Sequence, residues 1–301
     1  MSQIDFVSRV GVWWTSDLWS INDVLTRARE IERLGYGSLF YGEAGGKETF
    51  TQAAALLGGT ERLVVGTGIA NIHARSAPAS ESGARTLAAL HPGRFVLGLG
   101  VSHAPLVEHS YAGSYSRPLS TMRDYLRTMD AVPDGIEPGA QRPARLLAAL
   151  GPKMIELSGT AADGAHPYLV TPEHTANTRE RLGPDKWVVS EQAVALTTDR
   201  EAGLRRAHQH LHMYSQLPNY QNSWLRQGFD ESDLVVGGSD KLAEGMVAMG
   251  DAGTVATHVR RHLDAGADHV LVQVLDDDPL PALRELAPAL QLKQKSDHWE
   301  R

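Results

Sequence analysis

LVVGTGIAN, residues Leu63–Asn71, begins as a strand and ends differently. Leu63, Val64 and Val65 favour β structure, and the apolar run is too short for a helix. Gly66 and Gly68 then follow at alternate positions, which puts two bare stretches of backbone on the same side of the strand. A glycine inside a strand marks a bulge or a close approach by another group. Two readings follow. The strand stops at a tight corner, or its C-terminal end offers a platform for a flat ligand.

Working outward, the same rhythm recurs. A strand is predicted at 9–13, ending in Trp13–Trp14, then a helix at 21–34 with apolar residues at helical spacing and a stop at Gly35. Strand two is 38–41, followed by Gly42–Glu43–Ala44–Gly45–Gly46, and helix two is 49–57. Pro78 opens a third helix, and strand four, 95–99, again closes on alternating glycines, Gly98 and Gly100. A polar segment, 108–117, reads as an inserted loop or lid, and 133–143 as a second loop. Later strands are predicted at 145–150, 166–170, 187–196 and 268–274, with short helices and turns over 217–250 and a frayed end from 293. Eight strands alternating with helices imply an α/β fold, a (β/α)8 TIM barrel with inserted loops, as one domain over 1–301. In that architecture the site lies at the C-terminal ends of the strands, where Trp14, Glu43, Gly68, Ser102, His103 and Gly151 fall.

Composition narrows the classes. The chain has 301 residues, 42% hydrophobic and 22% charged, enough for a large core. A net charge of −7 without a basic tract argues against a nucleic-acid partner. The absence of cysteine excludes disulfides, thiolate metal sites and cysteine nucleophiles. No leader and no membrane span is read, so a cytoplasmic protein is expected. His208, His210 and His212 form an HxHxH run, but only 208 and 212 share a helix face, and no metal site is predicted. GxGxxG, GxSxG and Walker motifs are missing. What remains is glycine at the ends of strands three, four and five. That suits a broad planar ring on bare backbone, with a phosphate tail on the N–H groups of Ser102–His103 and of the helix that starts at Lys153. Lys153 adds charge there or faces solvent. A flavin-sized cofactor fits better than a sugar phosphate. Trp13 and Trp14 are either packing residues or the wall of a substrate pocket.

GTGIANIHARSAP (66–78), PGRFVLGLGVSHAP (92–105), LAALGPKM (147–154), ADGAHPYLVTPEHT (162–175) and LPNYQNSWLRQGF (217–229) resemble the bacterial-luciferase-like superfamily, in particular its coenzyme F420-dependent oxidoreductases. F420 is a 5-deazaflavin. The resemblance spans nearly the whole chain and implies a TIM barrel holding a flavin or deazaflavin at its C-terminal end, often as a homodimer. It implies a non-prolyl cis peptide at Gly68–Ile69 and places the ring against Gly68, Ile69, Ala70 and Asn71. The tail then lies near Gly100, Val101, Ser102 and His103, and near Gly151, Pro152, Lys153 and Met154. The better-known F420 enzymes carry an acid followed by a histidine at the end of strand two. Here the pair is Glu43–Ala44, so Glu43 is the retained catalytic candidate and His73 or His103 replaces the histidine. The implied function is hydride transfer between deazaflavin C5 and a small organic substrate. The alternatives are an FMN-dependent monooxygenase and a cofactor-binding barrel without turnover.

Overall fold

The computed structural model describes residue 4 and residues 6–111, 115–133 and 142–293. The strands are β1 (Val10–Trp14), β2 (Ser38–Tyr41), β3 (Val64–Thr67), β4 (Ala70–Asn71), β5 (Phe95–Gly100), β6 (Ala144–Ala148), β7 (Gly164–His166), β8 (Trp187–Leu196), β9 (Val247–Gly250) and β10 (His269–Val274). The helices are α1 (Ile21–Arg33), α2 (Thr49–Gly59), α3 (Ala77–Leu90), α4 (Ala104–Ser110), α5 (Pro118–Asp130), α6 (Pro152–Ala161), α7 (Pro172–Leu182), α8 (Arg200–Tyr214), α9 (Pro218–Arg226), α10 (Asp240–Met246), α11 (Ala252–Asp264) and α12 (Leu280–Ala289).

The strands pair in parallel in the order β1-β2-β3-β5-β6-β7-β8-β10, and β10 returns to β1, which closes the barrel. Side chains alternate between two buried clusters, as strand geometry requires. Trp13, Phe40, Val64, Val96, Leu146, Val189 and Leu271 belong to one cluster. Their strand neighbours Val12, Leu39, Val65, Leu97, Leu147 and Val270 pack with Val24, Ile31 and Leu283 of the helices. The barrel is therefore filled, with no room for a pore.

Several predicted elements are corrected. Leu63–Asn71 is not one strand: β3 stops at Thr67, the Gly68–Ile69 peptide is cis, and β4 resumes alongside β5. The strand expected at 166–170 lies earlier, at Gly164–His166, because Pro167 has no N–H for the ladder and Leu169 takes φ 54°. The segment read as a loop from Glu108 begins within helix α4, which has Pro105 in its first turn. The stretch 217–250, read as helices and turns, also holds β9, which pairs with the C-terminal half of β8. The expectations for 134–141 and 294–301, and the middle of the 108–117 insertion, lie outside the described residues. Among the described residues, no helix is long and apolar enough to cross a membrane.

Candidate active site

The ends of β2, β3 and β5 are locked around the cis peptide by backbone hydrogen bonds. Gly68 N–H donates to Tyr41 O at 2.6 Å, Glu43 N–H to Ile69 O at 3.2 Å, and Ile72 N–H to Gly100 O at 3.1 Å. The Trp13 indole N–H donates to Gly68 O at 2.9 Å. A Cβ on Gly68 would stand 2.2 Å from that indole nitrogen, so only bare backbone fits. A Cβ on Gly100 would meet the Ile69 side chain at 2.5 Å. Gly100→Ala is expected to cost about 1–3 kcal/mol by overpacking, because Ile69 can swing only partly away. Chemical denaturation measures this, and an unchanged midpoint would show that Ile69 is free to move.

Glu43 sits beneath this platform as an anchor. It is 9% exposed. Its carboxylate accepts from Asn71 N–H at 2.8 Å and from Arg75 Nη1 at 2.9 Å, and forms a further close contact with Arg75 Nη2. Arg75 also reaches Glu48 at 3.2 Å and lies over the Phe50 ring. A carboxylate held in this two-pronged way has a strong positioning role. His73 is half-buried beyond β4: its N–H donates to Asn71 Oδ1 at 2.9 Å, and its ring lies 6.5 Å from Tyr115. Tyr115 in turn donates to Ser102 O at 3.0 Å. Burial lowers the pKa of His73 and of His103.

Two buried polar atoms here have no partner: Asn71 Nδ2, and Nδ1 of His103. Such atoms are costly unless something pairs with them. A third lies near α6. The first turn of that helix, Gly151–Met154, has no side-chain cap. The Arg226 guanidinium stands 3.8 Å from the site of a Gly151 Cβ and donates to Leu150 O at 3.4 Å. A cation beside the positive end of a helix dipole is repelled unless an anion comes between them. The pocket they share, about 480 Å³, is also lined by His174, Asn177 and Arg181. His174 is 8% exposed with Nε2 unpartnered. Lys153 is exposed, and Met154 and Val101 pack partly into the core.

A second pocket, about 410 Å³, opens beside β1 and β10. Trp14, Trp19, His210 and Gln273 line it, with Asp17, Asp276 and Asp277 at its edge. Trp14 thus walls a pocket. Trp13 turns into the barrel and contacts Tyr168, ring centroids 5.3 Å apart. The Tyr168 hydroxyl donates to Gln273 Oε1 at 2.8 Å and lies 3.1 Å from Tyr214 Oη and 3.4 Å from His210 Nε2. Arg75, Tyr168, Glu191 and Gln273 were not singled out from the sequence, and His210 figured there only in the HxHxH run. For His210 a signal existed: Tyr214 lies four residues on, hence on the same helix face. His208 pairs instead with Asp240 at 3.0 Å.

The profile of the luciferase-like monooxygenase family matches residues 6–269. The chain belongs to the luciferase-like monooxygenase family. A Mycobacterium tuberculosis protein, named provisionally as a coenzyme F420-dependent oxidoreductase, is 36% identical over 95 residues, 32% of this chain. The match spans only 27% of that relative's length. An F420-dependent secondary alcohol dehydrogenase bound to an F420-acetone adduct superposes with TM-score 0.74 at 14% identity, covering 94% of this chain and 99% of its own. The oxygenating constituent of 3,6-diketocamphane monooxygenase from Pseudomonas putida, bound to FMN, superposes with TM-score 0.70 at 13% identity, covering 96% and 98%. These luciferase-like structures share the barrel of this chain.

Proposed function

We propose that this luciferase-like protein binds coenzyme F420 at the ends of β3, β5 and β6 and transfers a hydride to or from a small organic substrate. The observation that carries the reading is a pair of buried, unpartnered polar atoms, Asn71 Nδ2 and His103 Nδ1, just beyond the ends of the glycine-bearing strands β3–β4 and β5. The residues fit a polar heterocycle, to which Asn71 would offer an amide donor and His103 an imidazole nitrogen. The uncapped start of α6, with Gly151 and Arg226, suits an anionic tail.

When bound, a deazaflavin supplies hydride exchange at its C5. The chain supplies the rest. Glu43 and Arg75 hold the platform rigid, and Trp13 closes the barrel beneath it and excludes water. His73 and His103, whose pKa burial lowers, would accept or hold one proton. The pocket walled by Trp14 takes the substrate. The FMN-bound neighbour favours one second reading, a flavin monooxygenase on the same scaffold.

Fluorescence titration with F420, with FMN in parallel, tests both. Micromolar F420 binding with weaker FMN binding is expected. Arg226→Ala should weaken F420 binding about tenfold, the worth of one charge-assisted hydrogen bond. The opposite cofactor preference would favour the monooxygenase, and binding of neither would remove the proposal.

A further inference from the structure

We propose that the pocket beside β1 and β10 takes a small organic ammonium that also carries a hydroxyl or carbonyl oxygen, an amino alcohol or an aminoketone, with the cationic end at the mouth and the oxygen inside. That this ligand is the substrate rests on the function proposed above. The chemistry of the pocket does not.

The pocket, about 410 Å³, is within the range of small-molecule sites. Two strand ends build it in the same order, buried first and exposed last. β1 ends on Trp14, 3% exposed, and the chain then runs outward through Asp17 to Trp19. β10 brings in Gln273, 7% exposed, and the chain then runs outward through Asp276 and Asp277. Three carboxylates therefore stand at the mouth, and no lysine or arginine is among the described residues that line it. His210 lines it too, but burial lowers its pKa to about 4, so it adds no charge at neutral pH.

The neighbouring cations are already engaged. Arg206 stands 3.0 Å from Asp276. Arg27 pairs with Asp278 and covers one face of Trp19 at 4.5 Å. Lys47 Nζ donates to the carbonyls of Ser16 at 2.6 Å and Asp17 at 3.4 Å. Among the described residues, the carboxylates of Asp17 and Asp277 have no ion-pair partner. Uncompensated charge of one sign at the rim of a cleft raises the local concentration of the opposite ion. Trp14 and Trp19 meet edge to face with ring centroids 5.1 Å apart, which gives the ligand's carbon skeleton an apolar wall and its ammonium an aromatic one.

The inner end asks for an acceptor. Gln273 Oε1 is taken by the Tyr168 hydroxyl at 2.8 Å, so the amide Nε2 is left to donate, and no described residue accepts from it. Trp14 Nε1 is a second buried donor without a partner. Donors inside and unpaired carboxylates outside match a molecule with an oxygen at one end and an ammonium at the other. An anion would meet like charge at the mouth.

The test is isothermal titration calorimetry of the cofactor-free protein with three matched probes. These are 2-amino-1-phenylethanol, 1-phenylethanol, which lacks the ammonium, and 2-phenylethylamine, which lacks the oxygen. The first should bind about tenfold more tightly than 1-phenylethanol, the worth of one charge-assisted hydrogen bond. Its advantage over 2-phenylethylamine should be about threefold or more, as for a neutral hydrogen bond. Asp17→Asn combined with Asp277→Asn should remove the first preference and keep the second; both positions are exposed, so the fold should tolerate the change. Added salt should weaken the amino alcohol and leave 1-phenylethanol unaffected. The proposal is overturned if no probe binds, if losing the ammonium or the oxygen costs no affinity, or if the ammonium preference survives in the double variant. Should that variant fail to fold, salt dependence decides, and equal sensitivity of the two alcohols overturns the proposal. F420 binding without an ammonium preference would leave the cofactor reading and remove this one. An ammonium preference without F420 binding would remove the cofactor reading and leave the ligand class.

Discussion

Arg75→Ala is expected to destabilise the fold by about 3–5 kcal/mol, the cost of stranding one member of a buried ion pair. Arg75 and Glu43 are both largely buried, with side chains 13% and 5% exposed. Removing the guanidinium leaves the carboxylate with only Asn71 N–H as a partner, beneath the segment that β2, β4 and β5 must hold together. Glu43→Gln should cost less, because the amide oxygen still accepts from Asn71 and the Arg75 guanidinium keeps Glu48 as a partner. The double variant should then be more stable than Arg75→Ala alone, a coupling that a double-mutant cycle in denaturant reads directly. If Arg75→Ala unfolds within about 0.5 kcal/mol of wild type, as an ordinary surface change does, the pair is not the anchor described here. The same variants separate positioning from catalysis: F420 binding should weaken in Arg75→Ala, with its distorted platform, and survive in Glu43→Gln.

The second large effect is on acid stability. Burial holds His166, His174, His210 and His262 to about 4 and His269 to about 3, against an ordinary 6.5. Between those values the unfolded chain binds protons that the folded chain refuses. Stability therefore rises with pH across that window and is lost as pH falls from 6.5 towards 4. Each histidine contributes at most about 1.4 kcal/mol per pH unit, so together they should produce steep acid unfolding. Glu191 has the opposite sign. Its folded pKa, about 8, lies above the ordinary 4.5, so its contribution is complete below 4.5 and is lost as pH rises through 8. Thermal midpoints should peak near neutrality and fall steeply on the acid side. Glu191→Gln should flatten the slope on the alkaline side. Midpoints that stay level from about pH 7 to about pH 5 would mean that these histidines are open to water.

How much of this was readable in advance depends on the range of the interactions. The strands β1, β2, β5, β8 and β10 were visible because alternation and β-branched residues act locally. The break after Thr67 was signalled by Gly66 and Gly68. β7 was misplaced because its three residues are too few to show a period, and β9 because it forms only by docking on β8. The glycines at the strand ends were found, since a missing Cβ is a property of the residue itself. Glu43 was found too, but not its role: its partner lies 32 residues on and is brought back by the turn after β4.

The sequence by itself determined the alternation of strands and helices, hence the barrel. These follow from side-chain period, glycine placement and turn chemistry, which operate over a few residues. Only the tertiary structure decided which polar groups lose water. Glu191 reads as an ordinary polar residue in a strand until barrel closure encloses it. His210 belongs to a helix that looks solvated until Tyr168 and Tyr214 close over it. Desolvation and pairing depend on what the rest of the chain brings within a few ångströms, and no local pattern encodes that.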